Sequence, residues 1–157
     1  MTGPRRIAAA LTAVLLSLGA ALGLVATNII PADAATTVTI TKVRADSPGA
    51  DRGSNASKNA EYVVIKNTAK KSIKLGGYVL RDANGHSFAF PSGFVLKAGR
   101  SVAVHTGVGK NTNAHLYWGQ RWYVWNNDKD VAKLQKSGKT LSSFSYKRVT
   151  ASGFGVK

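Results

Sequence analysis

The residue types that could do chemistry are densest in one stretch, YWGQRWYVWNNDKD, Tyr117 to Asp130. It holds all three tryptophans, two tyrosines and Arg121, and closes on Asp128 and Asp130. Three chemistries suit such a composition. Exposed aromatics beside a cation can stack bases of single-stranded nucleic acid. Alternating Asn and Asp can hold a metal ion. Tryptophans can also be the inside of a fold. The metal reading fails on spacing: an EF-hand loop has Gly at its sixth position and Glu at its twelfth. Aligned on Asn126, this stretch has Val131 and Ser137 there. A hairpin turn is expected instead, with Asn126, Asn127 and Asp128 bonding local backbone. No metal and no other cofactor is expected. Strand alternation over Arg121–Trp125 would put Arg121, Tyr123 and Trp125 on one face and Trp122 and Val124 on the other. One face must be core, so at least one tryptophan is buried. Arg121 and Trp122 remain as candidates for an exposed contact.

The other groups able to act as acids, bases or nucleophiles are sparse. His86, His105 and His115 lie far apart in the chain and none has HExxH spacing. His86 and His105 read as strand-end residues. No G-x-S-x-G element accompanies them. Glu61 is the only glutamate. It could pair with Asp82 as glycosidase carboxylates do, but a cap on an edge strand for Glu61 and a turn opened by Asp82 are the simpler expectations. With no cysteine, a thiol nucleophile, a thiolate metal site and a disulfide are excluded. The chain therefore reads as a non-enzyme. The rival reading is a small secreted hydrolase or nuclease working through His86 with Asp82, or Asp128 with Asp130.

Charge is the stronger signal. The chain carries 22 Lys and Arg against 7 Asp and Glu, a formal net charge of +15. Such an excess attracts polyanions over long range. Lys70, Lys71 and Lys74 surround one turn and strand, and Lys133, Lys136 and Lys139 lie along another hairpin. If both regions share a face, they form a basic platform. Together with Arg121 and Trp122, these are the candidate polyanion-binding residues. Lysines on exposed strands also block edge-to-edge aggregation, so both readings stand.

These residues must be positioned by short strands. TTVTITKV (Thr36–Val43) alternates and is rich in β-branched residues. EYVVIKN (Glu61–Asn67) puts Val63 and Ile65 on one face. Tyr78 and Leu80 alternate ahead of DANGH, whose Asn84-Gly85 is a hairpin signal, and Phe88 and Phe90 share a face beyond it. Val102 and Val104 follow a turn at Gly99. Ala132 and Leu134 lead into a turn at Ser137-Gly138. Leu141 and Phe144, three apart, imply a bulge or a frayed end. Many short strands between turn signals predict an all-β sandwich. Residues 44–60 hold no apolar residue larger than alanine and are expected to form a long exposed loop. Residues 147–157 are expected to form a mobile tail.

The N-terminus reads as processing information. Two arginines precede an apolar run from Ile7 to Ile30, and Ala32 and Ala34 form an A-x-A site. Residues 1–34 are expected to be a signal peptide, and 35–157 a single exported domain. Left uncleaved, the run is long enough to anchor the chain in a bilayer, the only membrane association expected.

In order and spacing, EYVVIKNT, LGGYVLRDANGHSFAFP, VLKAGRSVAVHTG, LYWG, WNNDKDVAKL and FSY resemble the lamin tail domain in its exported bacterial form. The resemblance runs from about Val38 to Tyr146. It implies an immunoglobulin-like β-sandwich, a buried Trp125 and no catalytic residues. It also implies a structural or interaction role, since members of this family act as such modules and some have affinity for DNA. Two positions depart from the family pattern. Tyr78 stands where Trp is usual, and Lys129 where Gly is usual. Lysine is costly at positive φ, so the local turn is expected to differ. The combined expectation is a secreted, monomeric binding module at or near the cell envelope. Its partner would be nucleic acid, an anionic wall polymer or a protein.

Overall fold

The computed structural model describes residues 37–156. The leader expected over 1–34 and the start of the first strand at Thr36 lie outside the described residues. Among the described residues, twelve strands and one helix follow in order. They are β1 (Val38–Arg44), α1 (Asn55–Ala60), β2 (Tyr62–Asn67), β3 (Ile73–Lys74), β4 (Tyr78–Arg81), β5 (Ser87–Ala89) and β6 (Val95–Leu96). After these come β7 (Ser101–His105), β8 (His115–Tyr117), β9 (Asp130–Lys136), β10 (Lys139–Tyr146), β11 (Arg148–Val149) and β12 (Gly155–Val156). Two four-stranded sheets, β1-β2-β7-β8 and β10-β9-β4-β5, make an immunoglobulin-like sandwich. Two small pairs, β3-β6 and β11-β12, complete it.

The core is what period-two burial produces. Val63 and Ile65 of β2, Val102 and Val104 of β7, Leu80 of β4 and Ala132 and Leu134 of β9 are all fully buried. Two bulges correct the phase where strict alternation fails. One follows Ile40 in β1, so that Ile40 and Val43, three apart, both face inward. The other falls between Thr140 and Ser142 in β10, at the spacing of Leu141 and Phe144. The two bulged edge strands are stitched together. The Ser142 hydroxyl accepts the Ile40 N–H at 3.0 Å and lies 3.2 Å from the Thr39 hydroxyl.

Three expectations are corrected. The region 44–60 is not one exposed loop. Arg44 ends β1, Ala45 and Ser47 are buried, and Asn55–Ala60 is helical. Ser54 caps this helix by accepting the Ser57 N–H at 3.1 Å. No residue of α1 is buried. Polar groups hold it instead: Asn55 and Asn59 both donate to the Val108 carbonyl, at 3.0 and 2.8 Å, and Lys58 donates to the Arg121 carbonyl at 3.2 Å. A hydrophobic pattern cannot reveal a helix attached this way.

Nor are residues 147–156 a loose tail. β11 and β12 pair, and Phe154 forms a bridge with Arg44. The Phe154 ring lies under Lys42 Nζ at 4.6 Å and edge-on to Tyr62. Finally, Arg121–Trp125 is not a strand. Val124 and Trp125, adjacent in sequence, are both buried, which alternation forbids.

Candidate functional site

The strand register sorts the charges between the two ends of the sandwich. Val38 pairs with Asn67, and Lys66 with Ser101. Thus the start of β1, the end of β2 and the start of β7 lie at one end. Tyr78 pairs with Lys136 and Lys136 with Lys139, and the Ser142 bonds to β1 fix the second sheet in the same sense. This first end carries Lys66, Lys70, Lys71, Lys74, Lys97, Arg100, Lys136 and Lys139. All of these are exposed.

The carboxylates are at the other end. Of the seven acidic residues, Asp33 lies outside the described part. Asp46 and Asp51 follow β1, and both accept from the Asn127 amide. Glu61 precedes β2, Asp82 follows β4, and Asp128 and Asp130 lie just before or at the start of β9. Asp130 reaches across to the Ala83 N–H at 3.1 Å and the Asn126 side chain at 2.9 Å. Their joint field is felt at Tyr146. Burial first, and then Asp130, Glu61, Asp128 and Asp82, push its phenol above the usual range. The Tyr146 hydroxyl stays protonated and donates to the Asn126 carbonyl at 2.6 Å.

One buried amide builds the cationic end. Asn67 is fully buried at the close of β2. Its Nδ2 donates to the Lys71 carbonyl at 2.8 Å and to the Leu96 carbonyl at 2.9 Å, and its Oδ1 accepts the Ala69 N–H at 2.9 Å. Every hydrogen-bonding direction except one acceptor lone pair is thereby used. The amide clamps the turn bearing Lys70 and Lys71 to the strand that leads into Lys97. From Lys97 the chain turns through Ala98-Gly99, closed by the Arg100 N–H on the Lys97 carbonyl at 3.1 Å. Gly99 supplies the positive φ of 68° that the turn needs.

Not every candidate residue joins this end. Lys70, Lys71, Lys74, Lys136 and Lys139 do. Lys136 also sets its Nζ over the Tyr78 ring at 4.8 Å. Lys133 projects from the outer face of the second sheet, paired with Arg81 and Ser143. Arg121 and Trp122 belong to the acidic end. Trp122 is 60% exposed, and its ring lies so close over Gly53 that a Cβ there would meet it at 2.5 Å. Behind it the Tyr123 hydroxyl lies 2.6 Å from Ser57 Oγ and accepts the Gly53 N–H at 3.3 Å. Lys66, Lys97 and Arg100 were not among the sequence candidates. The signal for two of them is the short turn in VLKAGRS, which puts a cation at each end.

The groups considered for catalysis serve turns and core. Asp82 is buried. Its Oδ1 accepts the Asn84 and His86 N–H groups, and its Oδ2 lies 2.6 Å from His86 Nδ1. The dyad exists, and it closes the DANGH hairpin. Glu61 does not cap an edge strand, because β2 is a central strand. Its Oε1 accepts from the Thr106 hydroxyl at 2.7 Å and from the Val124 and Trp125 N–H groups at 2.8 and 2.9 Å. That bond set is what pins Val124 and Trp125 inward. Trp118, partly buried, meets Trp125 edge-on. His105 and His115, ten residues apart, come together because β7 and β8 run parallel. His105 Nε2 lies 2.9 Å from His115 Nδ1, and burial holds the His105 pKa below the usual value. Among the described residues no three His, Asp or Glu side chains gather as a metal site. Lys129 is not at positive φ, since Ser137 is the only non-glycine residue there among the described residues. Its N–H instead bonds Asp128 Oδ1 at 2.8 Å.

Fold and site together define a β-sandwich module whose buried polar groups serve its architecture and one end of which carries eight cations and none of the described carboxylates. The chain matches the Lamin Tail Domain over residues 31–148 and belongs to that family. It is a non-catalytic structural and interaction domain. Compared with the curated proteins, it matches none.

Proposed function

We propose that this domain is exported, acts at or near the cell envelope, and binds a phosphodiester polymer end-on through its cationic pole, without sequence specificity. The observation that carries this reading is the segregation of charge. Lys70, Lys71, Lys74, Lys97, Arg100, Lys136 and Lys139 share an end that holds none of the described carboxylates. Lysines that only protected strand edges would have no reason to exclude carboxylates from their end. A polymer approaching this pole meets cations that carry no ion pair among the described residues. The asymmetric field also orients the domain during encounter, with the acidic end outward.

The test is a salt series with two ligands, duplex DNA and a phosphate-rich wall polymer, each titrated against the domain. The logarithm of the binding constant should fall linearly with the logarithm of salt, by about 0.9 per phosphate contacted on duplex DNA. The pair Lys71→Glu and Lys139→Glu should weaken binding strongly and flatten that slope. Lys133→Glu, away from the pole, should do neither. Salt-indifferent binding, or equal losses from Lys133→Glu, would refute end-on binding. Comparing the two ligands decides which source of phosphodiester is preferred.

A further inference from the structure

At the margin of the cationic pole lies a cavity of about 410 Å³. Strand β6 with the preceding Gly93 and Phe94, and the Lys97–Arg100 turn, form one side of it, and Asn113 and Ala114, which lead into β8, form the other. Its walls divide by chemistry. Phe94 and Val95 supply the apolar side, and Val95 is 40% exposed, one of few large hydrophobic side chains left open among the described residues. Phe94 is half-buried, and its ring leans on Phe90 with centroids 6.4 Å apart, which fixes it in place. Lys97 and Arg100 supply the charged side. The turn that joins them holds its two ends within about 7 Å, so both cations serve one mouth. Neither cation makes an ion pair with a described carboxylate.

A volume of this size suits a small organic molecule rather than an ion alone. Cations beside an exposed apolar wall match a ligand with both characters. We propose that this cavity binds a small amphipathic anion. A phosphate, sulfonate or carboxylate head would sit on the planar donors of Arg100 with Lys97 beside it, and an apolar body would lie against Phe94 and Val95. Guanidinium matches such heads bidentately. Asn113 lies within the lining to bond a polar substituent. This site shares Lys97 and Arg100 with the polymer-binding pole but has a requirement of its own. It needs Val95 and Phe94, which a phosphodiester backbone has no use for.

The probe is anilinonaphthalene sulfonate, followed by its fluorescence and by the amide NMR shifts of Phe94, Val95 and Ser101. The expected result is saturable binding at one site per chain, with shifts confined to those amides and their neighbours. Arg100→Ala should weaken it by about tenfold or more, the usual loss of a charge-assisted pair. Val95→Gln, which adds no charge, should weaken the dye while leaving duplex DNA binding unchanged. Lys71→Glu should do the reverse. Neutral anilinonaphthalene and inorganic phosphate should each bind far more weakly than the dye. Circular dichroism and thermal melts confirm that the variants are folded. Dye binding that is unsaturable, equally strong for the neutral compound, or indifferent to Val95→Gln and Arg100→Ala would overturn the proposal. If the dye behaves as expected and DNA does not bind, the pocket stands and the polymer reading falls.

Discussion

Replacing Glu61 by Gln should change how the stability of this domain depends on pH, more than its stability at any one pH. Glu61 is fully buried, and Oε1 alone takes the Thr106, Val124 and Trp125 donors. Oε2 has no partner among the described residues. Burial pushes the carboxyl up from 4.5 to about 7, against the pull of those three hydrogen bonds and with a smaller push from Asp51. The folded protein therefore holds a proton between these values that the unfolded chain has released. Stability from this group is complete below the unfolded value of 4.5 and is lost as pH rises through about 7. At about 1.4 kcal/mol per pKa unit, the full effect is about 3 kcal/mol, most of it falling between about pH 5 and about pH 8. Glutamine keeps the Oε1 acceptor and cannot titrate. Its unpartnered amide adds a cost of about 1–3 kcal/mol that is the same at every pH. Urea unfolding of both proteins across this range gives the difference directly. The advantage of the parent over Glu61→Gln should shrink by about 2.5 kcal/mol from about pH 5 to about pH 8. His105, whose pKa is depressed, works in the opposite direction in both proteins and cancels in the difference. A difference that is flat with pH, or that grows with it, would show that Glu61 is ionised in the folded core.

Three further substitutions probe the pole and the aromatic segment. Asn67→Ala removes three hydrogen bonds and strands the Lys71 and Leu96 carbonyls. It should cost about 2–4 kcal/mol in denaturant unfolding and weaken polyanion binding although Asn67 carries no charge; an unchanged affinity would mean that the turns hold their places without it. Trp125→Ala should destabilise by about 3–5 kcal/mol in the same assay, whereas Trp122→Ala should cost well under about 1 kcal/mol. The contrast follows from 2% against 60% exposure, and comparable losses would refute the assignment of Trp122 to the surface.

The strands and most of their inward faces follow from local rules. Val63 and Ile65, Val102 and Val104, and Ala132 and Leu134 are inside because side chains alternate along a strand. The chain turns at Asn84-Gly85 and Ser137-Gly138 because Gly85 and Gly138 take up positive φ without strain. The irregular spacing of Leu141 and Phe144 signals the bulge found in β10. Such features are readable because each depends on a few neighbouring residues. The lysine-rich turns are equally visible in the chain, and so is the sign of their charge.

Other features depend on residues far apart in sequence. Helix α1 is held by amides reaching Val108, some fifty residues away. The tail is ordered by Phe154 meeting Lys42 and Tyr62. Trp125 is inside because Glu61, sixty-four residues earlier, takes its N–H. Composition also says nothing about direction. The chain announces an excess of cations and few carboxylates, but antiparallel pairing decides that the carboxylates of four separate segments gather at one end. The same pairing, with Asn67 as its clamp, brings Lys70, Lys71, Lys97, Arg100, Lys136 and Lys139 to the other. Sequence fixes which charges exist through covalent structure alone. Where their fields add is settled by strand register, and register is set by the burial of the apolar faces.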